Sequence, residues 1–148
     1  MSTYTQILYQ IVFSTRYRER TMIKKDRPEF FQYIAGLLKK KGCHLYRING
    51  VEDHLHILTH LHPSLSLASL VKDIKLATTK LIKEKKLFPN FGGWQDGYGA
   101  FTYSIEAVNN LIEYIRNQEI HHKLSSFEEE YRNLLNEHKI SFDEKYLL

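Results

Sequence analysis

Residues Tyr4 to Ser14 alternate in polarity, with Ile7, Tyr9, Ile11 and Phe13 on one parity and Gln10 and Ser14 on the other, the period of a half-buried strand. Asp26 then offers an N-cap and Pro28 suits a first helical turn, after which Phe30, Phe31, Ile34, Leu37 and Leu38 recur at helical spacing as far as Gly42. Cys43 to Asn49 and Glu52 to Leu61 read as two strands joined by a tight turn at Asn49-Gly50, a dipeptide that tolerates positive φ. Pro63 ends that pattern, and Ser64 or Ser66 can cap a second helix. Leu67, Leu70, Val71, Ile74, Ala77, Leu81 and Ile82 hold one face of this long helix, whose other faces carry Lys72, Lys75, Lys80 and Lys83. Pro89 to Gly99 contains four of the seven glycines and predicts a loop, followed by a short strand over Ala100 to Ser104. Val108, Leu111, Ile112 and Ile115 mark a third helix. A last helix starts at Ser125 or Ser126, where Ser126 and Glu129 have the spacing of a capping box, and it buries Phe127, Tyr131, Leu134 and Leu135.

The order strand, helix, strand, strand, helix, strand predicts an α+β fold built on a ferredoxin-like split βαβ sheet, with a tyrosine-bearing third helix and a C-terminal helix appended. A chain of 148 residues fits one domain with a substantial core, and neither repeat nor linker interrupts it, so residues 1–148 are expected to form a single domain. Such a sheet carries its first two helices on one face. The other is left for a ligand or for added elements, and the site is expected there.

Composition narrows the class. Apolar residues make up 43% and charged residues 26%, with only 7 Gly and 3 Pro, which excludes disordered, collagenous and low-complexity chains. The longest apolar runs are a few residues, and no basic leader precedes an apolar core, so neither a membrane span nor an export signal is expected. One cysteine, Cys43, can build neither an internal disulfide nor a thiolate metal cluster, and the simplest expectation is the cytoplasm. The net charge is +4, with basic residues clustered at Arg16-Tyr17-Arg18, Lys24-Lys25, Lys39-Lys40-Lys41 and Lys83 to Lys86, and acids at Glu128-Glu129-Glu130. A polyanion-binding surface and an ordinary solvated face both fit that distribution. Eight histidines and ten tyrosines add residue types that do chemistry.

The segment Asp53-His54-Leu55-His56-Ile57-Leu58-Thr59-His60-Leu61-His62 places His54, His56, His60 and His62 on one parity and the apolar Leu55, Ile57 and Leu61 on the other. The apolar parity must face the helices. Two imidazoles at i and i+2 on a strand lie roughly 6 to 7 Å apart at Cα, a span that one metal ion can bridge. An exposed pair of histidines with no ligand satisfies the same pattern. In the third helix Tyr114 and Gln118 are four residues apart and share a stripe, though Tyr114 equally suits a half-buried aromatic with its hydroxyl at the surface.

Four segments together resemble the single-tyrosine HUH transposases of small insertion sequences, the insertion sequence 200 type, over nearly the whole chain. They are Tyr9-Gln10-Ile11-Val12-Phe13-Ser14-Thr15-Arg16-Tyr17-Arg18, Asp53-His54-Leu55-His56-Ile57-Leu58, Trp94-Gln95-Asp96-Gly97-Tyr98-Gly99-Ala100-Phe101 and Tyr114-Ile115-Arg116-Asn117-Gln118-Glu119-Ile120-His121-His122. Leu55 supplies the bulky apolar middle of the HUH triplet. The resemblance implies that His54, His56 and Gln118 bind a divalent ion, Mg²⁺ or Mn²⁺, and that Tyr114 is the nucleophile. It implies a DNA transposase that cuts and rejoins single-stranded DNA through a 5′-phosphotyrosine, on substrates with hairpins at the element ends. It further implies a homodimer with composite sites, Tyr114 and Gln118 acting in trans to His54 and His56. His121 and His122 match the motif after Gln118 and are expected near the site; His60 and His62 are expected to be surface residues. Arg16 and Arg18, with Lys72 and Lys75 on the long helix, are the expected contacts to the DNA backbone.

Three other classes stay open at this point. An HUH endonuclease that nicks for replication or conjugation would share His54, His56 and Tyr114, though such enzymes usually carry further domains. A non-catalytic nucleic-acid binder on a ferredoxin-like sheet would stack bases on exposed aromatics, where this sheet parity shows Gln10, Ser14 and histidines instead. A structural zinc protein would need cysteine spacings that are absent.

Overall fold

The structure is a computed structural model that describes residues 2–147, apart from the side chains at 123, 124 and 146. In chain order it runs β1 (Leu8–Ser14), α1 (Arg27–Lys40), β2 (Leu45–Gly50), β3 (His54–His60), α2 (Leu67–Lys85), β4 (Gly99–Tyr103), α3 (Val108–Arg116), α4 (Gln118–Leu124) and α5 (Phe127–Glu137), with short 3₁₀ turns between. The four strands form one antiparallel sheet in the order β2-β3-β1-β4. That is the split βαβ arrangement expected from the periodicity, with β1 and β3 central and paired from Leu8↔His60 to Ser14↔His54.

Strand alternation divides the core in two. Ile11, Phe13, Leu55 and Ile57 point to one face, where they are fully buried against Phe30, Ile34 and Leu38 of α1 and Leu70, Val71 and Ile74 of α2. Trp94, from the glycine-rich loop, closes this core edge-on to Phe13 and donates its indole N–H to Thr78 Oγ1 at 3.1 Å. Leu8, Val12 and Leu58 point to the opposite face, which the sequence leaves available. It is covered by Ile115 of α3 and by Phe127, Tyr131, Leu134 and Leu135 of α5. Burying four large side chains is what holds α5 down, since a short helix gains little stability from its own backbone. Its start is capped by Ser126, whose Oγ accepts from the Glu129 N–H at 3.2 Å.

Several local expectations are revised. The β2–β3 connection is Val51-Glu52-Asp53 rather than Asn49-Gly50: Gly50 is the last residue of β2, paired with Leu55. Glycine is required there by close approach, because a Cβ would sit 2.6 Å from the His54 carbonyl oxygen. Asn49 turns its side chain across to α3, where Nδ2 donates to the carbonyls of Ile115 at 3.1 Å and Arg116 at 3.0 Å. Asp26 precedes α1 without capping it; its carboxylate accepts instead from the Phe88 N–H at 3.0 Å. The third helix ends at Arg116, and Asn117 (φ −93, ψ 20) breaks it before α4 begins at Gln118. Among the described residues no helix is long and apolar enough to cross a membrane.

Candidate active site

Because β3 is pleated, His54 and His56 leave it on the same side, the side covered by α3, α4 and α5, and both are completely buried. Their rings lie 5.2 Å apart. Each outer nitrogen is held: His54 Nδ1 lies 2.7 Å from Asp53 Oδ1, and His56 Nδ1 lies 2.7 Å from Gln10 Oε1. Gln10 is fixed in turn by donating Nε2 to Tyr103 Oη at 2.9 Å. Carboxylate and amide oxygens at Nδ1 favour a proton there and turn both Nε2 atoms inward, the orientation that metal-binding histidines take from their surroundings. Phe127 stacks on the His54 ring at 4.0 Å.

Both inward nitrogens meet Glu130 of α5. Its Oε1 is 2.9 Å from His56 Nε2, 3.2 Å from His54 Nε2 and 3.5 Å from His122 Nε2. Its Oε2 accepts a hydrogen bond from the Tyr114 hydroxyl and one of 3.3 Å from Gln118 Nε2. The break at Asn117 therefore does not separate Tyr114 from Gln118, and both reach the histidines of their own chain. His121 lies against the Tyr114 ring, 4.8 Å between centroids. Both histidines after the tyrosine motif thus border the site.

Electrostatics follow from this crowding. Burial opposes ionisation of Glu130, but the imidazoles of His122, His54 and His56 outweigh it and hold the carboxyl well below the ordinary range. Burial likewise works against charge on His54, yet the Asp53 and Glu130 carboxylates prevail and raise its pKa; at His56 burial wins and the pKa falls. Tyr114 is pushed far above the ordinary phenol value by burial first and then by the Glu130 charge. In this arrangement its hydroxyl keeps its proton.

The donor set suits a divalent cation. His54, His122 and Glu130 each offer a ring nitrogen or carboxylate oxygen, and these atoms lie within 4.8 Å of one another. Gln118 Oε1, His54 Nε2 and His122 Nε2 are buried yet make no aligned hydrogen bond among the described residues, whereas buried polar atoms are ordinarily satisfied. Unpaired oxygen and nitrogen lone pairs next to a carboxylate are what an ion would use. Two openings lead here. A cavity of about 500 Å³ reaches Tyr114 and Glu130 past Gln10, Tyr103 and Asn133, and a second of about 410 Å³ reaches His122 past Arg20 and Asp53.

The residue pattern and the geometry agree with a match over residues 3–118 to the family described as "Transposase IS200 like". The chain belongs to the IS200-like transposases. Among the solved structures that match are two with the same fold. A candidate transposase from Deinococcus radiodurans R1 is 21% identical, with a TM-score of 0.62, covering 80% of this chain and 95% of that one. A REP-associated tyrosine transposase bound to a REP hairpin is 15% identical, with a TM-score of 0.61, covering 82% of this chain and 74% of that one. No curated protein sequence matches at a significant level.

The match to IS200-like transposases ends at Gln118, so His121, His122 and Glu130 lie beyond it. Glu130 is absent from the sequence-based candidates because it stands in an acidic run that reads as a solvated face. A signal was present: Phe127, Glu130, Tyr131 and Leu134 fall at i, i+3, i+4 and i+7, which puts an acid on the apolar stripe of the helix. The expected backbone contacts disperse. Arg16 is exposed beside Gly93, and Arg18 pairs with Glu128 at 3.5 Å. Lys72 and Lys75 sit on α2, across the sheet from the histidines. Lys72 is exposed, while Lys75 Nζ donates to the carbonyls of Gln95 at 2.9 Å and Gly97 at 2.7 Å and so braces the glycine-rich loop. His60 and His62 have local tasks: His60 Nδ1 accepts from the Ile7 N–H, and His62 Nδ1 from the Ser64 N–H, each at 3.1 Å.

Proposed function

We propose that this IS200-like transposase is a metal-dependent endonuclease and strand transferase that cuts single-stranded DNA at the ends of an insertion sequence and rejoins it through a 5′-phosphotyrosine on Tyr114. The observation that carries this reading is the convergence of the Tyr114 hydroxyl, the inward Nε2 atoms of His54 and His56, and the Gln118 side chain on one buried point, marked by the Glu130 carboxylate. His54, His56 and Gln118 would hold Mg²⁺ or Mn²⁺, which when bound polarises the scissile phosphate and offsets charge building on its oxygens.

Tyr114 attacks the phosphorus. The Tyr114 Oη–P bond forms as the P–O3′ bond breaks, the phenol gives up its proton, and the departing 3′ oxygen gains one. An ordinary tyrosine needs about 4 kcal/mol to ionise at neutral pH, and burial beside Glu130 raises that requirement for Tyr114. Cationic surroundings, such as a bound divalent ion, would lower the phenol for attack. Because the phosphotyrosine conserves the phosphodiester bond energy, a second 3′-OH can displace Tyr114 and join strands without a nucleotide cofactor. Gln10 and Asp53 hold the two imidazoles in register throughout.

Hairpin DNA is the proposed ligand outside the scissile segment, by analogy with the fold relative whose bound partner is a hairpin. The resemblance implies a homodimer with composite sites, Tyr114 and Gln118 acting in trans to His54 and His56; the contacts of Asn49 with α3 and of Glu130 with Tyr114 and Gln118 within one chain support assembly in cis, which is the arrangement we propose. The decisive experiment mixes the protein with single-stranded DNA from both flanks of its own gene and Mg²⁺ or Mn²⁺, then looks for a covalent adduct on a denaturing gel. An adduct abolished by Tyr114→Phe, by His56→Ala and by chelator is expected. DNA binding without an adduct on either flank and with either metal refutes the nuclease and leaves a binding module.

A further inference from the structure

Any ion held by His54 and His56 must come to terms with Glu130, since Oε1 already stands 2.9 Å and 3.2 Å from the two Nε2 atoms. Either the carboxylate binds the ion or it is expelled. We infer that Glu130 is a ligand of the ion, an anionic donor contributed by α5 from outside the stretch that matches the family. The inference rests on the proposal that His54, His56 and Gln118 hold a divalent cation.

Three observations favour ligation over expulsion. The first is spacing. Adjacent oxygen or nitrogen donors on an octahedral ion with bonds of about 2.1 Å lie about 3 Å apart, the separation Oε1 already keeps from both imidazoles. The second is the cost of expelling Glu130. Its side chain is 5% exposed, and its neighbours Phe127 and Tyr131 are packed in one cluster with Val12 and Phe101. Withdrawing Glu130 from the imidazoles without a new partner would leave a buried, uncompensated anion. The third is donor chemistry. Two imidazoles and one amide form a neutral set, whereas Mg²⁺ and Mn²⁺ favour carboxylate oxygen, so Glu130 supplies the charge the other three lack. The other oxygen, Oε2, contacts Gln118 and the Tyr114 hydroxyl. One residue thereby links the ligand set to the nucleophile.

Mn²⁺ binding decides the matter without recourse to catalysis. Chelator-treated full-length protein is titrated with Mn²⁺ while free aqueous ion is followed by electron paramagnetic resonance, and each variant is checked for a cooperative thermal transition. Glu130→Gln keeps the size and the hydrogen-bonding capacity but removes the charge, and is expected to weaken Mn²⁺ binding by about tenfold or more. His56→Ala is expected to weaken it too. Should Glu130→Gln fail to fold, Glu130→Asp retains the charge but draws the oxygens back by one methylene, and the same loss is expected. If Glu130→Gln (or Glu130→Asp in its place) binds Mn²⁺ as tightly as wild type or more so while His56→Ala is impaired, the carboxylate is a displaceable plug and the inference falls alone. If wild type binds no Mn²⁺, or His56→Ala binds it equally well, the metal site of the proposed function falls with it.

Discussion

Gly99 offers a test of how tightly the fold dictates the site. A Cβ added to Gly99 would stand 2.7 Å from Tyr131 Cε1, 2.9 Å from its Oη and 3.0 Å from Phe101 Cε2, all atoms of rigid rings. Nonbonded carbons pack best at about 3.5–4.0 Å, so the methyl of Gly99→Ala can be admitted only by moving Tyr131, and with it α5 and the adjoining Glu130. Two effects compete. Replacing glycine in a strand lowers the entropy of the unfolded chain and stabilises by about 0.4–1 kcal/mol, while overpacking a buried ring costs about 1–3 kcal/mol. Overpacking wins, and a net loss of about 1–2 kcal/mol is expected, near 2–4 °C in Tm for each kcal/mol in a chain of this size. The assay is urea denaturation of Gly99→Ala, Tyr131→Leu and the double variant. Tyr131→Leu shortens the side chain, so the alanine should cost nothing, or even stabilise, in that background; a coupling of at least about 1 kcal/mol is expected. A neutral Gly99→Ala, or an equal cost in both backgrounds, refutes the reasoning that Tyr131 is packed too closely on Gly99 to admit a methyl group.

Asn49→Ala removes both donors to the last carbonyls of α3 and is expected to destabilise by about 1–2 kcal/mol and to reduce adduct formation at Tyr114; Asn49→Asp, which sets an acceptor against those carbonyls, should be worse, and denaturation midpoints of the pair check the order. Tyr103 is raised to about 12, by burial and then the Glu137 charge, against the opposing hydrogen bond from Gln10. The folded state thus prefers the neutral phenol, so the stability this gives is complete below the ordinary value near 10 and is lost as pH rises from there towards about 12. Urea midpoints from pH 9 to about 11 should therefore fall less steeply in Tyr103→Phe than in wild type, and parallel slopes would contradict the assignment. Mixing Tyr114→Phe protein with His56→Ala protein separates cis from trans assembly: no adduct is expected, whereas recovery of adduct would mean that two copies exchange their tyrosine helices.

Much of the site is local in origin and legible as such. Period-two alternation in His54-Leu55-His56 commits both imidazoles to the face opposite α1 and α2, and no tertiary contact can separate them. The spacing of Tyr114 and Gln118 survives the loss of helix at Asn117, because neighbouring helical turns still deliver both to one place. Element order likewise sufficed for the sheet, since antiparallel split βαβ units leave few alternative strand arrangements.

Other features have no local signature. Asn49-Gly50 resembles a turn, but the length of β3 and the packing of Asn49 on α3 carry the strand one residue further, and the turn moves to Val51-Glu52-Asp53. Lys75 looks like any lysine on a basic helix; only the fold brings the carbonyls of Gln95 and Gly97 to its ammonium. Glu130 lies 74 residues along the chain from His56, so their meeting depends on α5 docking across β1, which the apolar contacts of Phe127, Tyr131, Leu134 and Leu135 drive. The chain alone determined which side chains share a face, because that follows from backbone periodicity. Which faces meet was decided by the tertiary structure, because the hydrophobic force that joins them is non-directional and acts between segments far apart in sequence.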